Sequence, residues 1–175
     1  MHRMQVRFQS PLVSRLACFI QDVGLKIQST NIAEPTFLPG LTVFDGSILV
    51  DESRLLYPGD LLHEAGHLAV LPSSEREHVS APLDGDAGME MAAIAWSYAA
   101  LRHLEIDPKV VFHEAGYKDG SQALIDNFAA RRFIGVPLLQ WMGMTTEKDY
   151  PMMSQWLRPV ASEAGPVHAP ATLEL

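Results

Sequence analysis

The stretch that decides the fold spans residues 60–72 and reads DLLHEAGHLAVLP. Its apolar residues recur at the spacing of an α-helix. Pro72 cannot continue a helix, so the run should end just before it. Asp60 follows Pro58-Gly59 and is a residue type that favours the N-cap position. The stretch therefore predicts a rigid, largely buried helix that begins at Asp60.

Two histidines, His63 and His67, stand four residues apart in this stretch, and Glu64 directly follows the first. Residues four apart share one face of a helix, so both imidazoles can point at a single ion. Glu64 is rotated by about 100° from His63 and can reach a water on that ion without being a ligand. The pattern predicts zinc-assisted hydrolysis of an amide or ester, with His63 and His67 as metal ligands and Glu64 as general base.

A catalytic zinc ion needs a third protein ligand. Glu90 is the favoured candidate because it stands near the start of a long apolar stretch, predicted to be a buried helix over 86–103. An unpaired carboxylate in such a helix would be costly. Asp84 and Asp86 in the preceding loop are alternatives, either as ligands or as hydrogen-bond acceptors for the histidine rings. His78 is a further candidate ligand.

Turn and cap residues predict the elements of the N-terminal half. Ser10-Pro11 is typical of a helix start, and the helix should end at Gly24. A short strand is expected over 25–28. Asp45-Gly46 predicts a two-residue hairpin between strands 41–44 and 47–50. These strands should form a small antiparallel sheet.

The C-terminal half is expected to be helical. Asp107-Pro108 should open a helix that ends near Gly116, and Ser121 should cap another. The tail over 161–175 is expected to be poorly ordered. The sequence thus predicts an α+β fold, mostly helical, with a single domain over 1–160.

Composition and charge exclude several classes of protein. The chain has 175 residues, 47% of them hydrophobic, which is enough for one domain with a real core. A net charge of −8 argues against nucleic-acid binding, which depends on phosphate neutralisation by Lys and Arg. The one cysteine, Cys18, excludes an internal disulfide and a cysteine-based metal site. No signal peptide or membrane span is predicted, so a cytoplasmic protein is expected.

A near-copy of the histidine motif follows at His113-Glu114-Ala115-Gly116-Tyr117. Tyr117 replaces the second histidine, so a second metal pair is not expected. His113 or Tyr117 could stabilise an oxyanion across a cleft. An ordinary helix C-terminus, with Gly116 as the C-cap residue, is the favoured interpretation.

The chain resembles the gluzincin branch of the zincin metallopeptidases, and loosely the ImmA/IrrE type. The resemblance covers roughly residues 41–100 and is carried by the strand 47–51, the helix segment 61–68 and Glu90-Met91-Ala92-Ala93. It implies a zincin-like fold in which His63, His67 and Glu90 bind zinc and Glu64 is the general base. It also implies that the hairpin strand is the edge that pairs with an extended peptide.

The leading hypothesis is therefore a zinc-dependent hydrolase, and specifically a metallopeptidase acting on a peptide or protein substrate. The alternative is a non-catalytic binding or regulatory protein of zincin fold, with a structural or absent metal. A helical domain without metal is a third interpretation. The sequence does not indicate an oligomeric state.

Overall fold

The computed structural model describes residues 8–83 and 87–160. Within these ranges the chain forms an α+β fold in which helices dominate. The three strands are β1 (Lys26–Ser29), β2 (Leu41–Phe44) and β3 (Ser47–Val50). The helices are α1 (Pro11–Asp22), α2 (Asp60–Val70), α3 (Ser73–Arg76), α4 (Ala87–His103), α5 (Pro108–Val111), α6 (Ser121–Ala129) and α7 (Val136–Trp141), with a 3₁₀ turn at Tyr117–Asp119.

Helix α1 begins as its sequence predicts. The Ser10 hydroxyl accepts a hydrogen bond from the backbone N–H of Val13, and Pro11 occupies the first turn, where a missing N–H costs nothing. The helix ends at Asp22, and Gly24 then adopts a φ of 101°, which favours glycine. One face of α1 is buried and packs against α2 and β1.

The sheet is small and mixed, with strand order β1-β3-β2. The predicted hairpin is present: Asp45 and Gly46 have φ values of 47° and 67°, as a tight turn between twisted strands requires. The expectation of an antiparallel sheet is only half right, because β1 pairs with β3 in the parallel sense. The loop over 30–40 carries the chain past β3 before β2 begins, so β1 lies beside the outgoing strand of the hairpin. A wholly antiparallel sheet would have required β1 to lie beside β2.

Helices α2 and α4 form the centre of the molecule. Gly66 allows their close approach, because a Cβ atom at this position would lie 2.8 Å from the carbonyl oxygen of Ala93. Ser97 bridges the helices, since its hydroxyl donates to the carbonyls of Ala93 (2.7 Å) and Leu62 (3.2 Å). The predicted burial of α4 is confirmed from Ala92 to Leu101. The buried apolar side chains of both halves form one core.

Helix α2 begins at Asp60 as predicted, but two predicted cap residues and one predicted helix end are wrong. Gly59 rather than Asp60 is the N-cap of α2, because the Asp60 carboxylate lies in the first turn and contacts a distant residue. Helix α5 ends at Val111, well before Gly116. Ser121 does not cap α6, since its hydroxyl donates to carbonyl groups of the preceding loop.

No helix within 8–83 and 87–160 combines the length and the apolar character that crossing a membrane requires. The tail over 161–175, predicted to be poorly ordered, lies outside the described residues.

Candidate metal centre

Helix α2 presents His63 and His67 on one side, one helical turn apart. Their Nε2 atoms lie 3.1 Å from each other, and the two rings are nearly perpendicular, at 83°. His67 is buried and His63 is largely so. The two imidazoles therefore converge on a common point, as their four-residue spacing predicts.

Glu90 reaches the same point from the first turn of α4. Its Oε1 atom lies 3.4 Å from His63 Nε2, and its Oε2 atom lies 3.1 Å from His67 Nε2. The packing of α4 on α2 brings the carboxylate there, and 44% of the Glu90 side chain stays exposed. The three side chains form a group whose ligand atoms lie within 4.8 Å of one another.

This donor set fits a tetrahedral metal ion. Two ligand atoms held at about 2.0–2.2 Å from a tetrahedral zinc lie about 3.3–3.6 Å apart. The separations here, 3.1–3.4 Å, differ from that geometry by only a few tenths of an ångström. Two imidazoles and one carboxylate would leave a fourth position for water or substrate. Nitrogen and oxygen donors also suit other divalent ions, so the geometry alone does not select zinc.

Of the alternative third ligands, the structure describes only His78, which is not part of this group. His78 is highly exposed and pairs with Asp45, at 3.8 Å from Nδ1 to Oδ1. Asp84 and Asp86 lie outside the described residues. Among residues 8–83 and 87–160, the group formed by His63, His67 and Glu90 is the one cluster that could hold a metal.

The protonation states of His63 and Glu90 suit metal binding. Burial lowers the pKa of His63 to about 4, and the neighbouring His67 acts in the same direction, so His63 is neutral at physiological pH. The pKa of Glu90 is lowered, first by its hydrogen bond with His67, so its carboxylate is charged. A metal ion requires a neutral imidazole and an ionised carboxylate, and both are present.

Glu64 lines the same cavity but contributes no atom to the three-residue group. Burial raises the pKa of its carboxyl group to about 7, and the negative charges of Asp60 and Glu90 add to that effect. A carboxylate with a pKa near neutrality can both take up and release a proton at physiological pH.

His63, His67 and Glu90, together called the metal group, lie in the wall of a cavity of about 550 Å³. The cavity is mostly apolar, with walls contributed by the segments 37–39 and 81–83 and by Leu41 and Thr42 of β2. A more open groove of about 480 Å³ lies between α4 and α6, and Glu90, Tyr117 and Lys118 line both depressions. Of the candidate centre, Glu90 therefore lines both depressions.

The sheet edge beside the cavity is β2. Strand β3, which carried part of the resemblance to zincins, lies at the centre of the sheet and cannot pair with a peptide. The outer edge of β2 is partly covered, because the Ala81 N–H donates to the Val43 carbonyl at 2.8 Å. The end of β2 at Leu41 and Thr42 faces the cavity.

Four residues lie beside the centre that sequence reasoning did not place there. Tyr57 and Asp60 had no predicted role at the site, and His113 and Tyr117 were named only as possible oxyanion residues. The His113 Nε2 atom lies 2.8 Å from Asp60 Oδ1, and the His113 ring stacks on Tyr57 at 4.0 Å. The Tyr117 hydroxyl lies 3.2 Å from His63 Nδ1. His113 follows α5 instead of ending it, so the favoured helix C-terminus interpretation is wrong. The similarity of residues 113–117 to 63–67 was the one signal that marked this segment.

Comparisons with known proteins add no further assignment. No protein-family model matches the chain, and neither the curated proteins nor the solved structures contain a significant match.

Proposed function

We propose that this protein is a zinc-dependent hydrolase that cleaves peptide bonds. The observation that carries the proposal is the convergence of His63, His67 and Glu90, with Glu64 in the same cavity wall. His63 and His67 would hold zinc through their Nε2 atoms, and Glu90 through a carboxylate oxygen. The resemblance to gluzincins, which assigned these roles from the sequence, supports the same arrangement.

Bound zinc would supply Lewis acidity, which acidifies water to a pKa of about 7 and polarises a carbonyl group. Glu64 would accept the proton that water loses on attack and would return it to the leaving amine. Its buried carboxyl group, with a pKa near 7, is suited to both steps. The apolar cavity walls would exclude bulk water around the reacting bond.

The two depressions favour a peptide over a small ester. An extended chain could enter the larger cavity, pass the metal centre and continue into the groove between α4 and α6. The apolar lining of the larger cavity would favour apolar side chains in the substrate.

The test is hydrolysis of a mixed peptide library by protein of known zinc content. We expect cleavage that a chelator abolishes and that restoring stoichiometric zinc recovers. Peptide binding to the zinc-loaded protein without cleavage would support the alternative, a non-catalytic binding protein. Failure to bind zinc at micromolar concentrations would contradict the proposed metal centre itself.

A further inference from the structure

The loop over residues 113–121 contacts α2, the helix that carries His63 and His67, at two points. The His113 ring forms a hydrogen bond with the carboxylate of Asp60, and the Tyr117 hydroxyl forms one with the ring of His63. Asp60 and His63 stand three residues apart on α2, so they share one face of that helix. His113 and Tyr117, the two ends of the near-copy motif, thus contact α2 within one helical turn.

The loop is held in a conformation that its own residues do not favour. Tyr117 and Lys118 have φ values of 56° and 48°, in the left-handed region that costs a non-glycine residue free energy. Hydrogen bonds across the loop oppose that cost. The Ser121 hydroxyl donates to the carbonyls of His113 (2.6 Å) and Gly116 (3.2 Å). The backbone and these bonds together direct the Tyr117 ring toward α2.

The contact between His113 and Asp60 anchors this loop. Asp60 is buried, and its Oδ1 atom lies 2.8 Å from His113 Nε2. The His113 ring stacks face to face on Tyr57, with an interplanar angle of 4°. A buried carboxylate is costly unless it is hydrogen-bonded, so separating the pair is unfavourable. The start of the loop is therefore fixed relative to the first turn of α2.

The two ring nitrogens of His63 have different partners, and Tyr117 is one of them. The Nε2 atom of His63 faces His67 and Glu90, while its Nδ1 atom faces the Tyr117 hydroxyl at 3.2 Å. A neutral imidazole that binds a metal through Nε2 carries its proton on Nδ1. That N–H would donate to the Tyr117 oxygen, which fixes the tautomer and the orientation of the ring.

We propose that Tyr117 is a positioning residue whose hydroxyl orients His63 for metal binding, and that the pair of His113 and Asp60 holds Tyr117 in place. The inference rests on the proposed metal centre. It assigns Tyr117 a different role from an oxyanion donor, because the hydroxyl lies 3.2 Å from the ring of a proposed metal ligand.

The test compares the zinc affinity of the wild type, Tyr117→Phe and Tyr150→Phe, measured by competition with a chromophoric chelator. Tyr150 is a matched control, because its buried hydroxyl donates to the Ala95 carbonyl at 2.8 Å and contacts no residue of the metal group. We expect a dissociation constant about 10–100-fold higher for Tyr117→Phe. Tyr150→Phe should leave it unchanged.

Cobalt substitution and kinetics separate positioning from transition-state stabilisation. The visible absorption of the cobalt-loaded protein should change in Tyr117→Phe, because it reports ligand geometry. Saturating zinc should recover the part of the lost hydrolysis that reflects incomplete zinc occupancy in this variant. An unchanged zinc affinity combined with a reduced kcat would overturn the inference in favour of an oxyanion role.

A double-mutant cycle tests the anchor. His113→Phe keeps an aromatic ring on Tyr57 but removes the bond to Asp60, and Asp60→Asn can replace it if that variant folds poorly. Combined with Tyr117→Phe, either variant should weaken zinc binding no further than Tyr117→Phe alone. Losses that simply multiply would show that His113 does not act through Tyr117.

A metal-free measurement distinguishes failure of this inference from failure of the proposed function. If the wild type binds no zinc, the proposed hydrolase is wrong, and the ring contact is judged by ¹⁵N NMR of the histidine side chains. The His63 Nδ1 resonance should then move in Tyr117→Phe and stay in place in Tyr150→Phe. A resonance unaffected by Tyr117→Phe would contradict the positioning role whether or not zinc binds.

Discussion

Glu64 and His63 are adjacent in the chain, and burial favours the neutral form of each. It raises the pKa of Glu64 to about 7 and lowers that of His63 to about 4. For His63 the neutral form is the one that binds a metal. For Glu64 a pKa near neutrality suits a group that must accept a proton and then release it. Burial in one cavity wall would thus suit His63 to its proposed role as a ligand and Glu64 to its proposed role as a base.

Glu64→Gln should keep the metal and lose hydrolysis. The amide has nearly the shape of the carboxyl group but cannot accept the proton, so we expect kcat to fall by about 10²–10⁴-fold. Zinc stoichiometry should stay at that of the wild type. Glu147→Gln, at an exposed position, is the control and should change neither quantity. Full turnover by Glu64→Gln would assign the base to another residue.

The pH dependence of kcat/KM should have an acidic limb governed by Glu64. Protonated Glu64 cannot accept a proton, so activity should fall as pH decreases through its pKa. That pKa is about 7 without metal, and a bound dication would favour the carboxylate and lower it. We therefore expect a midpoint below 7, measured at pH values where zinc occupancy stays complete. A rate that rises as pH falls over this range would contradict the role of Glu64.

At the scale of elements, the distance between α2 and α4 sets the geometry of the metal group. The histidines lie on one helix and Glu90 on the other, and Gly66 is the point of close approach. A small residue at this contact therefore determines how near the Glu90 carboxylate comes to the imidazoles.

Gly66→Ala should destabilise the protein and weaken zinc binding. Alanine in a helix gains about 1 kcal/mol over glycine, but the added Cβ would lie 2.8 Å from the Ala93 carbonyl oxygen. Overpacking costs about 1–3 kcal/mol, so we expect a net loss of about 1 kcal/mol. Urea unfolding measures the stability, and chelator competition the zinc affinity. A variant as stable as the wild type would show that the helices separate at no cost.

The elements that could be predicted are those with local signals. Ser10-Pro11 marks the start of α1, Asp45-Gly46 marks the hairpin, and both are confirmed. The parallel pairing of β1 with β3 could not be predicted, because it depends on the path of the loop over 30–40 and not on either strand. The early end of α5 likewise reflects the contact of His113 with a residue on another helix.

In the candidate site, too, the features with a local sequence signal could be predicted and the contacts between distant residues could not. The convergence of His63 and His67 follows from helical periodicity, and the choice of Glu90 followed from the cost of a carboxylate on an apolar helix. The bonds from Asp60 to His113 and from His63 to Tyr117 join residues more than 50 positions apart. No spacing rule predicts such contacts, because they arise only when the loop packs against α2.

At the scale of the whole molecule, zinc should stabilise the fold, because the folded state alone brings the three ligands together. The free energy of unfolding should rise by about 2.7 kcal/mol when free zinc exceeds its dissociation constant 100-fold. His67→Ala should lose this gain. His78→Ala should retain it, since the exposed His78 lies outside the group. The reverse result would move the metal site to the loop around His78.

The central claim is that His63, His67 and Glu90 hold one zinc ion. The most direct measurement is a crystal structure of the zinc-loaded protein with anomalous diffraction recorded at the zinc edge. We expect a single peak about 2.0–2.2 Å from the Nε2 atoms of both histidines and from a carboxylate oxygen of Glu90. A peak that Asp84, Asp86 or His78 shares in place of Glu90, or no peak between the histidines, would contradict the claim.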